Sequence, residues 1–292
     1  MVSKLQACID KKLTNTPKWL RDNLQYEVIM GSAAYGVSTD SSDLDIYGWC
    51  IPPKNMIFPH LTGYVEGFGI KPQRFDQYQE HHIMNGETEY DFSIYSVVKY
   101  AQLCLENNPN MIDSLFVPTN CVTYCTPLGQ IFRDNRKEFL HKGSYSKFRG
   151  YAYAQLHKMK SHSSNSSNPK RGKSIKDHGF DVKFAYHIVR LLNEVDQILT
   201  THNLDLQRDN EILKAIRRGD WTEEEIVNWS EKKIDHLEEV YSKSTLRNVP
   251  DEVRIKGLLM EVLEEHYGSI SMAIAHDRFD SLMTELQGLV NK

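Results

Sequence analysis

Apolar and polar positions follow a period of two in short stretches of the first hundred residues and a helical period over much of the rest. Tyr26–Met30 is a short apolar run. It is followed by Leu44–Ile51, whose beginning interleaves Asp43 and Asp45 with Leu44 and Ile46. That alternation predicts a strand, and Pro52-Pro53 ends it. Thr88–Tyr95 alternates again, with Glu89, Asp91 and Ser93 on one face and Tyr90, Phe92 and Ile94 on the other, which is expected to be buried. Residues 54–86 read as irregular and rich in Gly, Pro, His and Phe. Within them the polar stretch Gln77–His82 is either a strand end or a loop.

The helical pattern begins with a polar segment, Lys4–Asn23, in which Thr16-Pro17 can open a turn. A helix is expected from Val97 to about Leu105, ending at Asn107-Asn108-Pro109. Ile112–Phe116 is apolar, with Pro118 marking an exit. After Pro127 helix dominates. Phe148–Lys160 mixes aromatic and basic residues, and Phe180–Leu199 carries a clear apolar stripe of Ala185, Ile188, Val189, Leu192, Val195 and Leu199. Lys183, His187 and Arg190 fall opposite that stripe, at about 100° per residue, and so are expected to face solvent or a cleft. Further helices are expected at Asn210–Arg218, Glu223–Lys243, Asp251–Tyr267 and Ile270–Val290. Thr222 and Glu225 form a capping-box pattern before the second of these. Residues 161–169 are Ser/Asn-rich and cannot support a core, which predicts a mobile loop. Lys170, Arg171, Lys173 and Lys176 follow at once. There is no internal repeat. The expected architecture is α+β: a small mixed sheet with flanking helices over residues 1–126, then an all-helical lobe over 127–292.

Composition narrows the class. The 292 residues are 40% hydrophobic and 25% charged, as in a soluble globular protein. A net charge of −4 argues against a broadly basic nucleic-acid coat but leaves room for a local basic groove. No apolar run approaches the roughly 20 residues of a membrane span, and the first residues lack a signal-peptide core. The five cysteines lack zinc-knuckle spacing, Cys121 and Cys125 having no second pair, and are expected to be reduced thiols in a cytoplasmic protein.

The chemistry concentrates at Gly31-Ser32 and at Asp43-Leu44-Asp45. Two carboxylates two apart on a strand share a face, and hard divalent cations such as Mg²⁺ take oxygen ligands of this kind together with substrate phosphates. A Gly-Ser turn offers backbone N–H groups and a hydroxyl, the parts of a phosphate cradle. The pairing points to metal-assisted phosphoryl transfer. The plain alternative is a surface turn with acidic residues feeding an ordinary strand. There is no Walker loop, His-Glu-x-x-His or Gly-x-Ser-x-Gly. A haloacid-dehalogenase-type use of Asp-x-Asp does not fit Ile46-Tyr47-Gly48 or the preceding Gly-Ser.

Gly31-Ser32 followed by Asp43-x-Asp45 resembles the nucleotidyltransferase signature of the DNA polymerase beta superfamily. The spacer is similar to that of a branch of bacterial and phage nucleotidyltransferases, some of them associated with RNA ligases. Asp91-Phe92-Ser93-Ile94-Tyr95, Gly179–Leu192 and Arg217-Arg218-Gly219-Asp220-Trp221 resemble further elements of that branch, so the likeness covers most of residues 26–255. The resemblance implies a metal-dependent transfer of an NMP from an NTP to an acceptor hydroxyl, with release of pyrophosphate. It implies two Mg²⁺ or Mn²⁺ ions on Asp43, Asp45 and Asp91, with Glu89 the rival to Asp91. Gly31 and Ser32 would hold phosphates, joined by Lys183, His187, Arg190 and Arg149. The acceptor could be RNA, a protein side chain or a small molecule. A non-catalytic nucleotide or nucleic-acid binding module and an antitoxin-like protein-modifying enzyme are the other readings. Tyr35 could stack on a base or pack beneath its loop. His81 and His82, adjacent on a strand, should point to opposite faces and not share a metal.

Overall fold

The computed structural model describes residues 2–38, 43–58, 60, 63–70, 74–161 and 169–268, the side chains of 169–171 and 173 excepted. Residues 162–168 of the expected loop and the expected helix from Ile270 to Val290 lie outside the described residues, as do the side chains of Lys170, Arg171 and Lys173.

In chain order the elements are α1 (Lys4–Asp10), α2 (Leu20–Asn23), β1 (Leu24–Ile29), α3 (Gly31–Ala34), β2 (Leu44–Cys50), α4 (Lys54–Ile57), β3 (Gln77–Asn85), β4 (Thr88–Ser96), α5 (Val97–Leu105), α6 (Pro109–Phe116), β5 (Val122–Cys125), α7 (Pro127–Asp134), α8 (Gly143–Ser161), α9 (Pro169–His178), α10 (Val182–Thr201), α11 (Asn210–Arg218), α12 (Glu223–Lys243) and α13 (Glu252–Tyr267). The expected Lys4–Asn23 segment is thus two short helices. Lys12 adopts a left-handed conformation, φ 58°, just beyond the first, and the chain turns there. Gln77–His82 belongs to a full strand, β3, and β5 was not anticipated.

The five strands form one mixed sheet in the order β3-β4-β2-β1-β5. Only β2 and β4 are parallel, with Asp45 opposite Asp91 in their register. Both faces are covered. On one, α1 and α2 bury Leu5, Cys8 and Leu20 against Ile46, Tyr90, Phe92 and Ile94, so the face expected to be buried is buried. On the other, Tyr26, Val28, Trp49 and Tyr95 join a core that continues through α5, α6, α8 and α10. The odd-numbered residues of β2 and β4, Asp45 and Asp91 among them, therefore look towards the helical half.

A buried carboxylate anchors the first helix. Glu27, on β1, accepts hydrogen bonds from Ser3 Oγ (2.7 Å), Lys4 N (2.7 Å), Leu5 N (2.9 Å) and Thr123 Oγ1 (2.6 Å). Two otherwise orphaned N–H groups at the start of α1 are satisfied there, where the helix dipole also favours an anion.

In the helical half, α10 packs against α8, α11 and α12. Asp181 caps its N-terminus, and His202, at φ 51°, ends it. The Thr222–Glu225 capping box of α12 is formed. The five cysteines are free thiols. Among the described residues, no helix is long and apolar enough to cross a membrane.

Candidate active site

The sheet brings the carboxylates together. Asp45 stands beside Asp91 on the adjacent parallel strand, where neighbouring strands run about 4.8 Å apart, and Asp43 lies just before β2. Burial pushes the Asp45 carboxyl above its ordinary value. The Lys183 ammonium opposes that shift, while the Asp91 and Asp43 carboxylates add to it and His81 opposes it. One helical-lobe cation and three carboxylates thus share one electrostatic neighbourhood.

The Gly-Ser turn closes over this group. β1 ends at Ile29, and Met30 N donates to Asp45 O at 2.7 Å. The chain then enters a single helical turn at Gly31, with φ +64°. A Cβ at this position would collide with Asp45 Oδ2. Only glycine satisfies both the left-handed φ and the close approach. Ser32 follows on the same turn, half-buried.

Much of what fixes that turn comes from the helical half. Tyr35 is buried beneath it and donates from its hydroxyl to Asp113 Oδ2 of α6 at 2.8 Å. Arg190 of α10 donates to the Tyr35 hydroxyl at 2.9 Å and lies over the Tyr35 ring at 4.4 Å. Its guanidinium also pairs with Asp113 and with Glu194. Arg217 donates to Val37 O at 2.7 Å, and Gln207 to Ala34 O at 3.3 Å. Of the two roles open to Tyr35, packing beneath the loop is the one it takes. The bracing residues Asp113, Gln207 and Arg217 carried no assigned role in the sequence reading. Arg217 had a signal, since it opens the Arg-x-Gly-x-Trp element; Gln207 and Asp113 had none.

A cleft of about 280 Å³ lies between α8 and α10, lined among others by Tyr151, Lys158, Lys183, His187 and Arg190. Lys183 is exposed at this cleft and His187 half-buried. Arg190 is only 5% exposed, so it stands in the cleft wall with its charge committed to buried carboxylates. Arg149, two residues before Tyr151, turns to the other side of α8. It packs over Tyr145 at 4.5 Å and reaches Glu238 of α12 at 3.5 Å. The structure thus groups Gly31, Asp43, Asp45, Asp91 and Lys183, with Ser32 next on the turn; it puts His187 beside Lys183 in the cleft lining, buries Arg190 in the cleft wall, and places Arg149 outside that lining.

The two histidines depart from the alternation. The β3–β4 register shifts between Glu80 and Ile83, and His82 takes φ 60°. Such a bulge re-aims side chains. His81 Nδ1 lies 3.4 Å from Asp91 Oδ2, His82 N donates to Asp91 Oδ1 at 2.8 Å, and His82 Nδ1 contacts Glu89 Oε1. Both histidines therefore gather at the acidic face, contrary to the opposite orientations expected of a regular strand.

Residues 5–256 match the RNA repair pathway DNA polymerase beta family, RlaP. The chain belongs to this family, and it is a nucleotidyltransferase. The RlaP match embraces the sheet, the signature turn and the helices that brace it. A nucleotidyltransferase-like protein from Exiguobacterium sibiricum 255-15 is similar at 10% identity, with a TM-score of 0.29, over 89% of this chain and 78% of that one. No curated protein matches the chain.

Proposed function

We propose that this RlaP protein transfers a nucleoside monophosphate from an NTP to an acceptor hydroxyl, and that the acceptor is RNA. The observation that carries the reading is the apposition of Asp45 and Asp91 beside the Gly31 turn, with Lys183 of the helical half acting on Asp45. The all-oxygen donor set of Asp43, Asp45 and Asp91 suits Mg²⁺ or Mn²⁺, and these three residues would hold two such ions. Bound there, the ions would neutralise charge on the phosphates and on the attacking oxygen.

The chain's own groups do the rest. The backbone of the Gly31 turn and the Ser32 hydroxyl hold the β- and γ-phosphates, and Lys183 offsets charge that builds on the leaving pyrophosphate. The acceptor oxygen bonds to the α-phosphorus as the bond to the bridging α–β oxygen breaks. The hydroxyl proton passes to the Asp91 carboxylate. His187 and Tyr151 line the cleft where the nucleoside would sit. Arg190 keeps the Gly31 turn in place through Tyr35 and does not need to touch substrate. Positioning of this kind supplies most of the catalysis in phosphoryl transfer.

RNA as acceptor is supported by the family's description, which names an RNA repair pathway. The test offers purified protein each α-labelled NTP in turn, with Mg²⁺, total RNA and protein extract. Label on RNA 3′ ends supports the proposal. Label confined to protein or to a small product would replace RNA as the acceptor.

A further inference from the structure

The bulge at His82 gathers ligand-type atoms beside the proposed transfer centre. His82, Glu89 and Asp91 each present one donor atom, and these atoms lie within 4.8 Å of one another. His82 is 82% exposed at its side chain, while Glu89 and Asp91 are 28% and 27% exposed, so the group opens to solvent on one side and rests on the sheet on the other. A regular strand would send His82 to the opposite face from His81. The left-handed backbone at His82, a conformation strained for a non-glycine residue, brings its ring onto Glu89 instead.

We propose that His82, Glu89 and Asp91 form a binding site for a divalent ion of the zinc class. Zinc takes imidazole nitrogen and carboxylate oxygen as ligands, and three protein ligands leave its fourth position open. The imidazole separates this site from the all-oxygen set of Asp43, Asp45 and Asp91, since nitrogen ligands favour Zn²⁺ and Co²⁺ over Mg²⁺. Bonds of about 2.0–2.1 Å place tetrahedral ligands about 3.3 Å apart, so donors that already lie within 4.8 Å of one another need only a modest rearrangement. Two carboxylates and a neutral imidazole carry two negative charges, which one divalent ion balances. His81, beside Asp91 Oδ2, and the His82 N–H on Asp91 Oδ1 fix that carboxylate as outer-shell partners do. Asp91 belongs to both sets, so an ion held here withdraws it from the pair with Asp45.

The site is tested by calorimetric titration of metal-free protein with Zn²⁺, and by the visible absorption of Co²⁺ added in its place. His82→Asn is the main variant, because asparagine accepts a positive φ and keeps the backbone N–H that Asp91 accepts. The expected result is one ion per chain with tetrahedral Co²⁺ bands, weakened but not abolished by excess Mg²⁺, which competes for Asp91 alone. Affinity should fall roughly 100-fold in His82→Asn, at or beyond what loss of an outer partner causes. Glu89→Gln should fall likewise, and Asp43→Asn should bind as the wild type does. Binding unchanged by His82→Asn, binding lost in Asp43→Asn, or no binding at all would overturn the proposal. Because the readout is binding, the result is independent of whether nucleotide transfer occurs.

Discussion

Gly31 and Asp45 touch: the glycine backbone packs so tightly against the aspartate carboxylate that no Cβ fits between them, and its φ of +64° excludes other residues a second time. Gly31→Ala should therefore displace the Asp45 carboxylate or the turn. We expect nucleotide transfer to fall about 100-fold, the scale of a misplacement near 1 Å, with the far-ultraviolet circular dichroism unchanged. Wild-type turnover in Gly31→Ala would show that the turn and the carboxylate are not a working pair.

Lys183 is exposed at the cleft and acts on Asp45, and the proposed role is to balance phosphate charge. Lys183→Ala should lower kcat/KM by roughly 100-fold, the cost of losing one charge-stabilising group. Stability should shift by less than about 0.5 kcal/mol, as for an ordinary surface change. Steady-state kinetics alongside urea unfolding separates the two. A large stability loss with unchanged kcat/KM would assign Lys183 a purely structural part.

Arg190 is surrounded by Asp113, Glu194 and the Tyr35 hydroxyl, all buried. Removing it strands two buried carboxylates, so Arg190→Ala should cost about 3–5 kcal/mol in urea unfolding. Tyr35→Phe removes only the bridging hydroxyl and should cost about 1–3 kcal/mol. If Arg190 held phosphate in preference to this network, Arg190→Ala would lose nucleotide affinity and keep its stability.

His141 provides a pH handle away from the site. Its Nδ1 accepts from Gly143 N at 3.0 Å and its Nε2 faces Leu105 O at 2.9 Å, an arrangement for the neutral ring. Burial lowers its pKa from the ordinary 6.5. A depressed folded-state pKa means the unfolded chain binds the proton more readily. The contribution is then present above pH 6.5 and is lost as pH falls from there through the folded value. His141→Gln should flatten the pH dependence of the urea midpoint below pH 6.5. An unchanged slope would mean the ring is already charged in the fold.

The sequence was most legible where local pattern and burial agree. Alternation at Asp43–Ile46 and Thr88–Tyr95 located the two carboxylate strands, and Val97–Leu105 was bounded by its own caps, Ser96 and the turn at Asn107. β5 was missed because four residues, Val122–Cys125, are too few to show a period. The His82 bulge was invisible because alternation assumes an unbroken ladder. Arg190 was read as facing solvent or a cleft from its place opposite the α10 stripe. What buries it is Asp113, 77 positions earlier in the chain, and only the tertiary fold supplies that partner.

If Asp45 belongs to a nucleotide-transfer centre, wild type and Asp45→Asn should differ in transfer of label from α-labelled NTP to RNA with Mg²⁺ present. We expect label on RNA with the wild type and a loss of roughly 1000-fold in Asp45→Asn, at the upper end for removal of one transition-state group, with the unfolding midpoint of the variant no lower. Equal labelling by the two proteins would contradict that role.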